Sequence, residues 1–183
     1  MNRILFICHG NICRSTMAQS VMRHLVNKAG QAADFEIDSA ATTTEELGNP
    51  PHRGTVRKLG EVGVPVVAHR ARNVARGEYD EWDLLVYMDG ENERHLKRIF
   101  GGDPKGKFVR LLAFAPGGGL VDENGAVRPA AHDAAAVAQA SAAAADVADP
   151  WYTGNFDETY RDVLAGCTGL LAWCIAVKRA ACR

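Results

Sequence analysis

The sequence predicts a doubly wound α/β fold in a single domain, and three observations carry that expectation. The first is a continuous apolar run, Ile4-Leu5-Phe6-Ile7, the pattern of a strand buried on both faces of a parallel sheet. The second is a short loop and an amphipathic helical pattern directly after that run, a strand–loop–helix unit that recurs along the chain. The third is size, since 183 residues with 47% hydrophobic content bury one sizeable core and do not need two.

Taken in order, the first strand ends at Cys8. From Arg14 the apolar residues return as Met17/Ala18, Val21/Met22, Leu25/Val26 and Ala29, a helical beat that Gly30 stops. A short strand at Phe35 to Ile37, a helix at Arg53 to Val62 and a strand at Asp83 to Met88 repeat the unit more faintly. A helix from Glu91 to Phe100 and a fourth strand from Lys107 to Leu112 come next. Asn155 and Glu158 stand at capping-box spacing ahead of Tyr160, Val163, Leu164, Cys167, Leu170, Leu171, Cys174 and Val177, a long amphipathic closing helix. One stretch, at about 115–148, breaks the alternation. Gly117 to Gly119 lead into a small hairpin around Asn124-Gly125, a pair that tolerates the positive φ of a tight turn. From Ala130 to Ala148 alanine dominates, giving high helix propensity with few large side chains for anchorage. It reads as a peripheral Gly/Ala-rich insertion within one domain spanning residues 1–183.

Composition narrows the function. With 21 basic and 22 acidic residues the net charge is -1, which gives no global reason to bind nucleic acid or an anionic membrane, so an anion site must be local. The apolar run at the N-terminus is too short for a signal peptide or a membrane span, and a cytoplasmic location is expected. Five cysteines (Cys8, Cys13, Cys167, Cys174, Cys182) are an odd number without the spacing of a secreted disulfide framework, which favours reduced thiols.

The chemistry concentrates in Cys8-His9-Gly10-Asn11-Ile12-Cys13-Arg14-Ser15, a loop between a strand's carboxyl end and a helix's amino end. Backbone N–H groups there can curl around one anion, helped by the helix dipole, with Gly10 supplying conformational freedom. Such a nest favours the thiolate of Cys8, the nucleophilic form. Arg14 can grip two phosphate oxygens with its planar fork, and the Ser15 hydroxyl can bond to the sulfur. Transfer of a phosphoryl group also needs a proton for the leaving oxygen, and Asp149-Pro150 is the candidate, with Trp151-Tyr152 as flat walls for an aromatic ring. Cys13 reads either as a small buried hydrophobe or as a redox partner of Cys8. No second ligand pair stands at structural-zinc spacing beside Cys8, His9 and Cys13, so no metal is expected.

These residues resemble the low-molecular-weight protein-tyrosine phosphatases, which carry a C-x5-R-[ST] loop at the N-terminus and a late Asp-Pro followed by two aromatics. Similarity continues through Asp38-Ser39-Ala40-Ala41-Thr42, Gly48-Asn49-Pro50-Pro51, Arg53-Gly54, His69-Arg70-Ala71-Arg72 and Met88-Asp89. The resemblance implies a flavodoxin-like three-layer fold, its four-stranded parallel sheet flanked by helices on both faces. It also implies a cysteinyl-phosphate intermediate and no cofactor. Cys8 would be the nucleophile, Arg14 the clamp and Asp149 the general acid and base, with Asn11, Ser15, Ser39 and His69 shaping the loop. It tilts Cys13 toward the redox role. Phosphotyrosine proteins would be the substrates of a monomer that works opposite a cognate tyrosine kinase and holds inorganic phosphate or a similar oxyanion in its loop. Ile12, Glu45, Glu46, Trp151 and Tyr152 would wall the pocket; Glu45-Glu46 replaces an aromatic common in relatives and leaves substrate preference open.

Other chemistries share parts of this pattern. Thiol-dependent arsenate reductases need two further mid-chain cysteines, and none stands between Cys13 and Cys167. Protein-arginine phosphatases tend to place threonine where Ile12 stands, and phosphocysteine carriers need no acid such as Asp149.

Overall fold

A computed structural model describes residues 1–128 and 133–181; positions 129–132 of the alanine-rich stretch, and Cys182, lie outside the described residues. The strands are β1 (Asn2–Cys8), β2 (Phe35–Ala41), β3 (Leu84–Tyr87) and β4 (Phe108–Arg110). The helices are α1 (Arg14–Lys28), α2 (Arg53–Glu61), α3 (Gly90–Phe100), α4 (Ala134–Ala143), α5 (Pro150–Thr153) and α6 (Phe156–Ala181). All strand pairs are parallel in the order β2-β1-β3-β4, the flavodoxin-like order. Strand order reverses between β1 and β3, so the loop leaving β1 opens at the switch point where such sheets bind ligands.

The two-residue period of β1 divides the core. Ile4 and Phe6 face α1 and α6, packing with Met17, Val21, Met22, Val163, Cys167 and Leu170. Leu5 and Ile7 face the other way, toward Leu85, Tyr87, Leu96, Tyr79 and Trp82. Every one of those strand residues is buried, which is why the β1 run shows no alternation in sequence.

α6 is long and apolar enough, by length and composition, to cross a membrane. Here its apolar stripe of Val163, Cys167, Leu170 and Cys174 is taken up by the core. Gly166 and Gly169, three residues apart on that helix, admit the 3-10 turn Leu111–Phe114 at close range. A Cβ at Gly169 would lie 1.8 Å from the Phe114 carbonyl oxygen, and one at Gly166 would lie 2.6 Å from the Leu111 side chain.

Three elements differ from expectation. β2 extends past Ile37 to Ala41, because all seven of its residues pair with β1, from Asn2↔Phe35 to Cys8↔Ala41. That extension brings Ser39 beside the cysteine loop. β4 is shorter than expected and turns at Leu111 into the 3-10 segment. The stretch read as an insertion has the expected tight turn, with Gly125 at φ 84° under an antiparallel bridge Val121↔Val127, but its alanine helix α4 is anchored where little anchorage was expected. α4 packs on β4 and the Leu111–Phe114 turn, burying Val137, Ala140 and Ser141.

Candidate active site

The cysteine loop is held from outside. Its carbonyls point away from the centre: that of Cys8 accepts from Thr42 N–H at 2.9 Å, that of His9 from Thr43 N–H at 3.2 Å, and that of Ile12 from His52 N–H at 2.8 Å. In a trans peptide the following N–H points the opposite way. The amides of His9, Gly10 and Cys13 therefore turn inward, toward the open N-terminus of α1. Cys8 is buried, and its sulfur receives the Asn11 N–H at 3.3 Å and lies 3.0 Å from the Ser15 hydroxyl.

Asn11 is the hub of the loop. Its amide nitrogen donates to Ser15 Oγ and Ser39 Oγ, both at 2.9 Å, and its carbonyl oxygen accepts from Arg72 N–H at 3.1 Å and bonds His69 Nε2 at 2.7 Å. A backbone N–H can only donate, which fixes the amide's orientation and makes His69 Nε2 a donor as well. Ser15, accepting from Asn11, has its own proton free for the Cys8 sulfur. Asn11 is also the one non-glycine residue with positive φ among those described, at 57°. The left-handed conformation thus falls on Asn11 rather than on Gly10, correcting the role expected for the glycine. Gly10 provides space, since a Cβ there would meet the Glu46 side chain at 3.0 Å.

A second tier supports the hub. Ser39 donates to Gln19 Oε1 at 2.8 Å, and Gln19 donates to Asp38 at 3.0 Å. Arg72 bonds Asp38 through two nitrogens, at 2.9 and 3.0 Å, and Glu78 through the third. Burial holds His69 below the ordinary histidine pKa of 6.5 despite Asp38 nearby. Burial, reinforced by Cys8, pushes the Cys13 thiol up to about 12, so Cys13 is a neutral neighbour of the Cys8 sulfur.

Arg14 is buried and shared between two carboxylates. One terminal nitrogen lies 2.5 Å from Asp89 and the other 2.6 Å from Asp149. Asp89 also caps α3, accepting from Asn92 N–H at 2.7 Å, and Asp149 caps α5, accepting from Trp151 N–H at 3.0 Å. Each acid is therefore fixed by a helix start as well as by the arginine.

A cavity of about 120 Å³ opens over Cys8, Ile12, Cys13 and Arg14. Trp151 and Tyr152 form one wall, 59% and 86% exposed, while Glu45, Glu46 and Glu91 form another. His9 bridges this acidic wall, 3.1 Å from Glu45 and 4.0 Å from Glu91.

Residues 3–123 match the family model of the low molecular weight phosphotyrosine protein phosphatases. The chain belongs to this family. It is 34% identical to the low molecular weight protein-tyrosine-phosphatase YfkJ of Bacillus subtilis, over 94% of this chain and 95% of the relative. It is 30% identical to PtpA of Staphylococcus aureus, over 94% and 93% of the two chains. The crystal structure of YfkJ superposes with a TM-score of 0.76, covering 94% of this chain and 93% of that one. SP-PTP of Streptococcus pyogenes gives 0.71 at 28% identity, covering 94% and 92%.

Within this phosphatase, the structure brings Cys8, Arg14 and Asp149 to one cavity, puts Ser39 and His69 on Asn11, and lines the cavity with all the expected wall residues. Sequence reasoning missed the role of Asp89, the second partner of Arg14. Its signal was present: an acid at the carboxyl end of a buried strand, opening a helix through Asp89-Gly90. Glu91, in the same turn, was also missed as a wall residue. Gln19 and Arg72 carry no such signal, because their partners lie on other elements.

Proposed function

We propose that this protein hydrolyses phosphotyrosine in proteins, and small aryl phosphates, through a cysteinyl-phosphate on Cys8. The Cys8 thiolate attacks phosphorus, forming the S–P bond as the P–O bond to the phenol breaks, and Asp149 gives its proton to the departing oxygen. Asp149 then takes a proton from water, whose oxygen attacks phosphorus; the S–P bond breaks and inorganic phosphate leaves. Inward amides and Arg14 carry the charge on the equatorial oxygens, where positioning and electrostatics dominate phosphoryl transfer. No metal or cofactor has a role in these steps.

The observation that carries the reading is the Cys8 sulfur, set against the Asn11 N–H and Ser15 hydroxyl, in one cavity with an arginine that touches Asp149. Replacing Cys8 by Ser tests it. Hydrolysis of phosphotyrosine peptides should vanish while binding of inorganic phosphate, followed by calorimetry, persists; an active Cys8→Ser enzyme refutes the reading. Cys13 has the role of redox partner: once peroxide converts Cys8 to a sulfenic acid, the Cys13 thiol condenses with it, expelling water and forming a disulfide. Free thiols at both positions support a reducing, cytoplasmic setting; within the proposal the enzyme is a monomer that opposes a tyrosine kinase.

The carboxylates of Glu45, Glu46 and Glu91 favour a second reading, protein-arginine phosphatase, because they suit a cationic group beside the phosphoryl. Parallel assays on phosphotyrosine and phosphoarginine peptides separate the two. The branched apolar wall at Ile12 and the aromatics Trp151 and Tyr152 support the tyrosine reading.

A further inference from the structure

The chain that carries Asp149 to the cavity is tied down almost residue by residue, and its first two ties run to Arg110, which lies outside both the loop and the cavity wall. Arg110 ends β4 with its side chain only 13% exposed. One terminal nitrogen donates to the Ala144 carbonyl at 2.7 Å and pairs with Asp146 at 3.1 Å. The other faces Glu93 of α3 at 3.7 Å, and the guanidinium lies 5.6 Å from the centre of the Tyr87 ring. The same Asp146 oxygen accepts the Gly90 N–H at 3.2 Å, and Val147 N–H donates to the Met88 carbonyl at 2.9 Å. Met88 and Gly90 flank Asp89, so the segment leading to Asp149 is stitched to both neighbours of the other acid that holds Arg14. Ala148 completes the run, its N–H donating to Asp162 and its carbonyl accepting from Thr159, each at 2.9 Å.

α4 closes the arrangement. Ser141 accepts the Arg110 backbone N–H at 2.7 Å and bonds the Tyr87 hydroxyl at 2.9 Å. Among the described residues Arg110 Nε is buried without a hydrogen-bond partner, a cost that the position of the guanidinium must offset.

We propose that Arg110 is a positioning residue for proton transfer, holding through Ala144 and Asp146 the register in which Asp149 and Asp89 share Arg14. The proposal rests on the reading of Asp149 as the acid. It also gives the insertion a task, since the insertion supplies Ser141, Ala144 and Asp146. A planar fork that sets one nitrogen on Ala144 and Asp146 and the other toward Glu93 is not reproduced by a lysine's single nitrogen. Displacing a reacting group by about 1 Å is enough to cost about a hundredfold in rate.

The test compares kcat/KM on 4-nitrophenyl phosphate, whose leaving group needs little help, with that on phenyl phosphate, whose leaving group needs a proton. Asp149→Asn sets the benchmark of a loss confined to phenyl phosphate. Arg110→Met, which keeps the apolar stem, should lose about tenfold or more on phenyl phosphate and less than about threefold on 4-nitrophenyl phosphate. Arg110→Lys should recover only part of that loss. Asp146→Ala, at a half-exposed side chain, should show the same selectivity and carries the test if Arg110→Met does not fold. Equal losses on both substrates, or none, in Arg110→Met or its stand-in overturn the proposal while the benchmark leaves the acid reading intact. A benchmark without selectivity overturns the acid reading, and the proposal with it.

Discussion

Asn11→Asp changes one atom type and reverses one direction of hydrogen bonding. The new oxygen would stand where the Asn11 amide nitrogen donates at 2.9 Å to both Ser15 and Ser39. An oxygen there can only accept, so both hydroxyls must turn to donate to it. Ser39 then releases Gln19 Oε1, and Ser15 releases the Cys8 sulfur. A hydrogen bond to a charged group contributes about 1.5–3 kcal/mol, so losing the Ser15 donor alone should slow 4-nitrophenyl phosphate turnover by about 10- to 100-fold. The added carboxylate, repelling both thiolate and substrate, pushes the same way. Removing the donor directly in Ser15→Ala should give a loss of similar size, and the double variant should lose much less than the product of the two. The assay is kcat/KM in a four-member cycle, with circular dichroism to confirm folding. Asn11→Asp turnover within about threefold of the parent, or full multiplicativity with Ser15→Ala, would refute the relay from Asn11 through Ser15 to sulfur.

The remaining predictions reach other parts of the molecule. Gly169→Ala on an unencumbered helix would stabilise by about 1 kcal/mol, but the 1.8 Å approach of the Phe114 carbonyl to the new Cβ predicts the opposite sign. A net loss of about 2 kcal/mol or more, read from the urea midpoint at constant slope, is expected, and a stabilised variant would sink the packing argument. Burial depresses the His69 pKa, so the unfolded chain takes the proton first and stability is lost as pH falls from the ordinary value of 6.5 toward the folded one. Unfolding free energy measured against pH in the parent and in His69→Gln should show this acid-side loss only in the parent. Glu45→Gln with Glu46→Gln should raise kcat/KM on phosphotyrosine peptides a few-fold at low salt, with the difference fading by about 0.5 M as screening shortens. A difference that survives high salt would mean the two residues act by shape and not by charge.

How much was legible depends on whether a residue's partner is close in sequence. Cys8 and Ser15 sit in one loop and were readable together, as was the strand–loop–helix order that builds the fold. Arg14 and Asp89 are 75 residues apart, and only the adjacency of β1 and β3 brings them together. The length of β2 was hidden for a similar reason: Asp38-Ser39-Ala40-Ala41 has weak strand character, and pairing with β1 overrides it. Gly10 drew attention as the flexible residue, yet Asn11 takes the left-handed turn because its side chain gains four bonds there. The alanines of α4 looked unanchored because a hydropathy pattern counts bulky side chains. What anchors this helix includes a serine and close approach, as where a Cβ at Gly119 would lie 2.8 Å from Ala140 Cβ.

The outward carbonyls and the four bonds of Asn11 have a kinetic side. Each of these contacts joins one protein group to another, so the cradle is assembled when the chain folds and is preorganised for the phosphoryl group. Little ordering entropy remains to be spent at the moment of binding. The same finished cradle would need no rearrangement to hold the product of the proposed reaction, so added inorganic phosphate is expected to raise the apparent KM by competing with substrate for the loop.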